Sequence, residues 1–294
     1  MLRAMRAFVA VALALSLAAA CGPREPKIDP AAHAAEIGQW QKTRAERLAR
    51  EDGWLALIGL HWLEDGENEV TLTKAGAPPV RLTRSGAQTI LHPDPSMTID
   101  GKPLAGDVPL LADADENGPT IVQMGSVRFN VIRRGDRYGL RVKDAEAETR
   151  THFQGLEYYP IDPKWRVEAR YEAYHPPKKI PITDVTGMTS DSISPGAIVF
   201  EVDGKEHRLD PILEEGSTDY FIIFRDATSR DTTYPAGRYL YAAPPKDGKM
   251  IVDFNKAYNP PCAFTPFATC PLPPLQNRLP FRIEAGEKKY AGGH

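Results

Sequence analysis

Apolar spacing divides the chain into one helical stretch and many short β-type runs. Between Ala34 and Glu51, Ile37, Trp40, Ala45, Leu48 and Ala49 recur at roughly helical spacing, with Arg44, Arg47 and Arg50 elsewhere on the surface. This pattern predicts one amphipathic helix ending before Asp52-Gly53. Next, "GWLALIGLHWLEDGENEV" packs Trp54, Leu55, Leu57, Ile58, Leu60, Trp62 and Leu63 into a dense apolar cluster around Gly59 and His61. From Glu69 the runs shorten. Strands are predicted at Glu69–Thr73, Pro79–Leu82, Thr89–Leu91, Met97–Ile99, Val108–Leu111, Thr120–Gln123, Val127–Arg133 and Tyr138–Val142, with breaks such as Asp100-Gly101 and Asn117-Gly118.

A second block follows Asp144. A helical turn is expected within Ala145–Gly155. Strands are expected at Arg166–Tyr174, Lys179–Val185, Ala197–Val202, Glu206–Leu209, Tyr220–Phe224, Gly237–Ala242, Lys249–Phe254 and Leu279–Glu284. "GMTSDSISPG" reads as a polar loop, and Asp203-Gly204 as a type I′ hairpin turn. The fold class is therefore mainly β: a sandwich- or barrel-like body, residues 36–290, with β subregions at about 53–144 and 145–290 and one N-terminal amphipathic helix.

The first 21 residues depart from this texture. Met1 to Arg6 holds two arginines, and Phe8 to Ala20 is almost wholly apolar but short for a membrane span. Small residues before Cys21 resemble a bacterial lipobox. The expectation is an exported protein held in the cell envelope, on the periplasmic face of the outer membrane, by a lipid anchor on Cys21, with residues 22–35 as a flexible tether. Plain secretory cleavage near Ala20 is the rival. A net charge of −3 with mixed signs argues against nucleic acid as a partner.

The chemistry-bearing residues gather in two places. "DFNKAYNPPCAFTPFATCPLPPLQNRL" concentrates prolines with Asp253, Asn255, Tyr258, Asn259 and Asn277. Proline lacks an amide hydrogen, so the amides either satisfy buried backbone or line a pocket. "FRDATSRDTTYPAGRYLY" supplies Arg225, Asp226 and Arg238, able to grip a carboxylate or phosphate or to pair internally. Cys262 and Cys270 are candidates for a disulfide; the chain-entropy model gives a loop this short about 2–3 kcal/mol. With no neighbouring histidine, C-x7-C is weak as a metal site, and no metal or cofactor is predicted. His61 reads as a core histidine, and Trp54 and Trp62 as packing. No G-x-S-x-G elbow, phosphate loop, dinucleotide fingerprint or H-E-x-x-H is present.

Four segments carry a resemblance: "GWLALIGLHWLEDGENEV", "GLEYYPIDPKWRVEARYE", "FIIFRDATSRDTTYPAGRYLY" and "DFNKAYNPPCAFTPFATCPLPPLQNRLPFRIEAGEK". Together they resemble domain-of-unknown-function family 1684, from about Ala34 to Lys288. The resemblance implies one largely β unit and no agreed activity. Three functions stay open: a binder of a small molecule or envelope glycan at the two polar groups, an envelope hydrolase using Asp253 as acid or base, and a structural envelope protein without a pocket.

Overall fold

A computed structural model describes residues 28–72, 74 and 76–292. The signal segment, Cys21 and the first part of the tether lie outside the described residues. Helix α1 spans Pro30–Leu48 and starts earlier than its apolar spacing suggests. Asp29 caps it by accepting from the N–H of Ala31, and Pro30 occupies the first turn, where a missing N–H costs nothing. The second half of the expected tether is thus helical. Among the described residues, no helix is long and apolar enough to cross a membrane.

The strands are β1 Leu57–Leu63, β2 Gly66–Val70, β3 Val80–Ser85, β4 Gln88–His92, β5 Thr98–Ile99, β6 Lys102–Pro103, β7 Val108–Leu110, β8 Val122–Met124, β9 Val127–Arg134 and β10 Arg137–Asp144. A short helix α2, Glu148–Thr151, separates these from β11 Arg166–Thr183, β12 Thr189–Val202, β13 Lys205–Leu209, β14 Ile212–Leu213, β15 Tyr220–Phe224, β16 Arg238–Ala242 and β17 Lys249–Asp253. The protein is mainly β, with every ladder between these strands antiparallel.

Four sheets form. One has the order β1-β10-β9-β8-β5-β6 and another β2-β3-β4-β7; both draw only on strands up to Asp144. Their facing side chains, among them Leu63, Val80, Leu82, Leu91, Val122, Phe129 and Leu140, make one buried core. The other two, β13-β12-β11-β17 and β14-β15-β16, draw only on later strands and bury Ile198, Phe200, Ile222, Phe224, Leu240, Val252 and Phe254 between them. Asp203 and Gly204 both adopt positive φ, 51° and 71°, in the two-residue turn that joins β12 to β13.

Two strand expectations need correction. "GMTSDSISPG" is not a loop: Thr189 to Ser194 pair with Thr183 back to Lys178 in a long hairpin. Polar residues suit this ribbon because much of it faces water. Leu279–Glu284 is not a strand. Its backbone serves side chains instead, with Ile283 N–H donating to Asp226 Oδ2 at 2.7 Å and Ile283 O accepting from Arg238.

The run Tyr220–Phe224 is apolar at every position because both faces of its sheet are covered. Ile222 and Phe224 point into the second core; Phe221 and Ile223 point the other way, toward a third cluster with Leu57, Ile180, Ile182, Tyr239, Cys262 and Cys270. That second face positions the site.

Candidate functional site

The outward face of β15 and β16 is floored by aromatic rings. Phe221 lies opposite Tyr241 and Ile223 opposite Tyr239. Phe221 stacks on Tyr241 at 4.8 Å between centroids and meets Tyr239 edge-on at 4.9 Å. Tyr239 and Tyr258 exchange both backbone hydrogen bonds at 2.9 Å, which places the Tyr258 ring parallel to Tyr241 at 6.4 Å. Above this floor is a cleft of about 750 Å³. One wall is α1, through Glu36, Trp40, Thr43, Arg44 and Arg47; another is formed by Trp54, Arg134 and Arg141 with the segment Ala268–Pro271. Residues at i, i+4, i+7 and i+8 share a helix face, so Glu36, Trp40, Thr43 and Arg44 form one stripe.

Polar contacts, from buried to exposed, fix α1 in place. His33 Nε2 lies 2.6 Å from Asp253 Oδ2. Arg44 donates from Nε to Glu287 Oε1 and from a terminal nitrogen to the carbonyl of Asn259, both at 2.9 Å, with its guanidinium 4.7 Å from the Tyr258 ring centre. Lys256 Nζ donates to Glu36 Oε1 at 2.5 Å, and this bond pulls the Glu36 carboxyl below its ordinary range. Burial pushes Glu287 up, while Arg44 and the Asn259 N–H draw it back down.

Arg141 is different. It lies on β10, 5.4 Å from the Trp54 ring centre, and lines the cleft. Among the described residues, Nε and one terminal nitrogen of its guanidinium are buried without a hydrogen-bond partner. Arg134, on the same wall, is by contrast paired with Asp113 at 2.9 Å and bonded to Thr269 Oγ1 at 3.0 Å. Burial pushes the Arg141 guanidinium down to about 10, still charged at neutral pH. Arg141 is half-buried, and shielding two of its donors from water without a partner is costly for the fold. Here the guanidinium faces an open cavity of small-molecule size.

The residues singled out in the sequence fall out as follows. Tyr258 lines the cleft. Asp253 does not: it is 8% exposed and accepts from His33, the Asn255 N–H at 3.1 Å and Asn255 Nδ2 at 2.9 Å. Asn255 also clamps the backbone of Asp162 from both sides. Asn259 uses its N–H on Glu287 Oε2 and its Nδ2 on the carbonyl of Lys288, both 2.8 Å. Asn277 accepts from Asp210 N–H and donates to the carbonyls of Asp210 and Ile223. These amides satisfy the backbone of a proline-stiffened segment. Arg238 and Asp226 form an ion pair of 3.0 Å with both side chains at 0% exposure. Arg238 also donates to the carbonyls of Ile283 and Ala285. The expected single site combining Asp253, Asn255, Asn259 and Asn277 with Arg225, Asp226 and Arg238 is therefore not formed. The two segments meet through Tyr239–Tyr258 and Arg225–Asn277 backbone bonds, but most of their polar side chains are spent on buried internal partners, and Arg225 faces a separate pocket.

The expected disulfide is absent here; both cysteines are free and buried. The Cys262 N–H donates to Cys270 Sγ at 3.1 Å, and Cys270 lines the cleft. Hydrogen bonding between the thiols makes the pair's first proton easier to lose than that of an isolated thiol and its second harder. Among the described residues, no cluster of three or more His, Cys, Asp or Glu side chains could hold a metal ion.

Sequence reasoning missed Arg141, Arg44, Trp40 and Tyr241 as cleft residues. A signal existed in the helix: the stripe from Glu36 to Arg44 is a second patterned face, polar but carrying a tryptophan. Arg141 carries no such signal, because only the approach of the two halves of the chain makes it a wall.

Comparison with known proteins places this architecture. The family described as "Protein of unknown function (DUF1684)" matches residues 151–288. That segment of the chain belongs to this family. The match covers the two later sheets and the proline-rich segment, while α1 and the first two sheets lie outside it. A solution NMR structure of an uncharacterized protein from Haloarcula marismortui is 33% identical in sequence. It aligns over 47% of this chain and 78% of its own, with a TM-score of 0.41. No curated protein matches the chain.

Proposed function

We propose that this DUF1684 protein binds a small organic anion in the cleft beneath α1. The observation that carries this reading is the half-buried guanidinium of Arg141, which faces that cavity with two nitrogens buried and unpartnered. A carboxylate, sulfonate or phosphate group would satisfy it in the forked geometry that arginine favours. The floor of Phe221, Tyr239, Tyr241 and Tyr258 suits a flat apolar body or a sugar ring, with Trp40 and Trp54 at the walls. A sugar acid from the envelope is one ligand of this kind. The binding reading and its place in the cell are independent. For the latter we propose export and lipid attachment at Cys21, supported by the apolar leader and the small residues before the cysteine.

The hydrolase reading draws no support from Asp253, whose carboxylate fastens α1 and lines no part of the cleft. Native mass spectrometry of the protein purified from its own host tests the proposal. A small anion should accompany the wild-type chain and be lost from Arg141→Met. A ligand retained equally by both chains would contradict it.

A further inference from the structure

A second arginine cluster lies outside the cleft and shares none of its lining. At the end of β15 the Arg225 N–H donates to the carbonyl of Asn277 at 3.0 Å, and its own carbonyl accepts from Leu279 N–H at 2.7 Å. This parallel bridge sets Arg225 beside Arg278. The short turn Ala227–Arg230, opened by Asp226, brings Arg230 to the same rim. The three arginines line one pocket of about 260 Å³.

Among the described residues, none of these three side chains has a hydrogen bond or an ion pair. The one acid in the lining, Asp226, offers no compensation. Its Oδ1 accepts from Arg238, its Oδ2 from Ile283 N–H, and Thr228 contacts both oxygens. It is 4% exposed. Three positive charges therefore line one pocket, Arg225 half-buried and Arg230 and Arg278 exposed, in a chain whose net charge is −3. Like charges set side by side repel. The scaffold beneath them is rigid, because Asn277 is buried and fully bonded and the Asp226–Arg238 pair is sealed. The backbone bridge, not a side-chain contact, sets Arg225 beside Arg278.

We infer that this pocket binds a compact tetrahedral oxyanion, either phosphate or the phosphate end-group of a larger molecule. Guanidinium forks match such an anion from several sides, and the volume suits one such group rather than a whole metabolite. Free phosphate and the phosphate monoester headgroup of a lipid both supply this chemistry.

The test titrates the full chain with inorganic phosphate at ionic strength matched with chloride, reading melting temperature and heat of binding. In parallel, vesicles of phosphatidylcholine with and without phosphatidic acid are tested by flotation. Phosphate should stabilise the wild type and should still stabilise Arg141→Gln, in which the cleft's own anion contact is removed. Arg225→Gln and Arg278→Gln should each bind phosphate about tenfold more weakly, while keeping the melting temperature of the unliganded wild type. If the lipid is the source, phosphatidic acid should increase flotation of the wild type and not of the Arg225→Gln/Arg278→Gln double variant. A phosphate effect that survives both arginine variants but vanishes in Arg141→Gln would put the anion in the cleft and overturn this inference while leaving the cleft reading intact. No effect of phosphate beyond chloride, with no effect of phosphatidic acid, would also overturn it.

Discussion

Arg44 reaches from α1 across the ring of Tyr258 to Glu287, where Nε and Oε1 are 2.9 Å apart and the carboxylate is wholly buried. The pair joins the N-terminal helix to the C-terminal segment and completes the cleft wall. Removing one partner leaves the other charge buried and alone. Arg44→Met should therefore lower the unfolding free energy by about 3 kcal/mol in urea titrations. A loss below about 1 kcal/mol would show that the pair behaves like an exposed one.

Asp253 offers a sharper separation of roles. It holds His33 and Asn255, and none of its oxygens opens on the cleft. Asp253→Asn should cost about 1–3 kcal/mol of stability through unsatisfied buried groups. It should leave binding of an aromatic sulfonate such as anilinonaphthalene sulfonate unchanged, as read by fluorescence titration. Loss of binding with stability intact would restore Asp253 to the site.

The adjacent thiols make a redox prediction. With Cys262 N–H already on Cys270 Sγ, a disulfide oxidant such as oxidised glutathione should join them with loss of two protons and two electrons to the oxidant. Intact-mass measurement should show the two-proton loss, and the short loop should add about 2–3 kcal/mol to stability. Adducts on both cysteines in place of the bridge would contradict the geometry.

Much of the fold was legible because burial imposes period. The alternation in Val127–Arg134 and Arg137–Asp144 and the unbroken apolar run at Tyr220–Phe224 follow directly from one or two covered faces. The hairpin turn at Asp203-Gly204 followed from turn chemistry. Pairing in water leaves weaker marks, so Thr189 to Ser194 looked like a loop. The site was less legible. Asn277 and Asp226 have the composition of a binding site, yet each has a backbone to satisfy that only the folded chain brings near. Arg141 lies on a strand like other arginines, and its missing partner is visible only once α1 and the C-terminal segment are in place.

Binding should be indifferent to pH across the neutral range. Burial lowers the Arg141 guanidinium to about 10, so the cation the anion needs is fully present near neutrality and is lost only as pH climbs through that value. A sulfonate probe keeps its own charge throughout. Its affinity should be constant between about pH 6 and 8 and fall toward strongly alkaline pH. A step near neutral pH would instead point to a histidine or a thiol as the anchoring group.

The unpaired guanidinium also predicts a conflict between stability and binding. Replacing it with a side chain of similar reach removes a buried charge from the unliganded protein, so Arg141→Met should unfold at higher urea concentration, by about 1–3 kcal/mol. Lower stability in this variant would mean that Arg141 is satisfied in the free protein.

The most direct test of the binding claim is a parallel titration of wild type and Arg141→Met with anilinonaphthalene sulfonate, followed by fluorescence. Affinity should drop at least about tenfold in the variant, the loss expected when one charge-assisted contact is removed. Equal affinity in the two proteins would contradict the account.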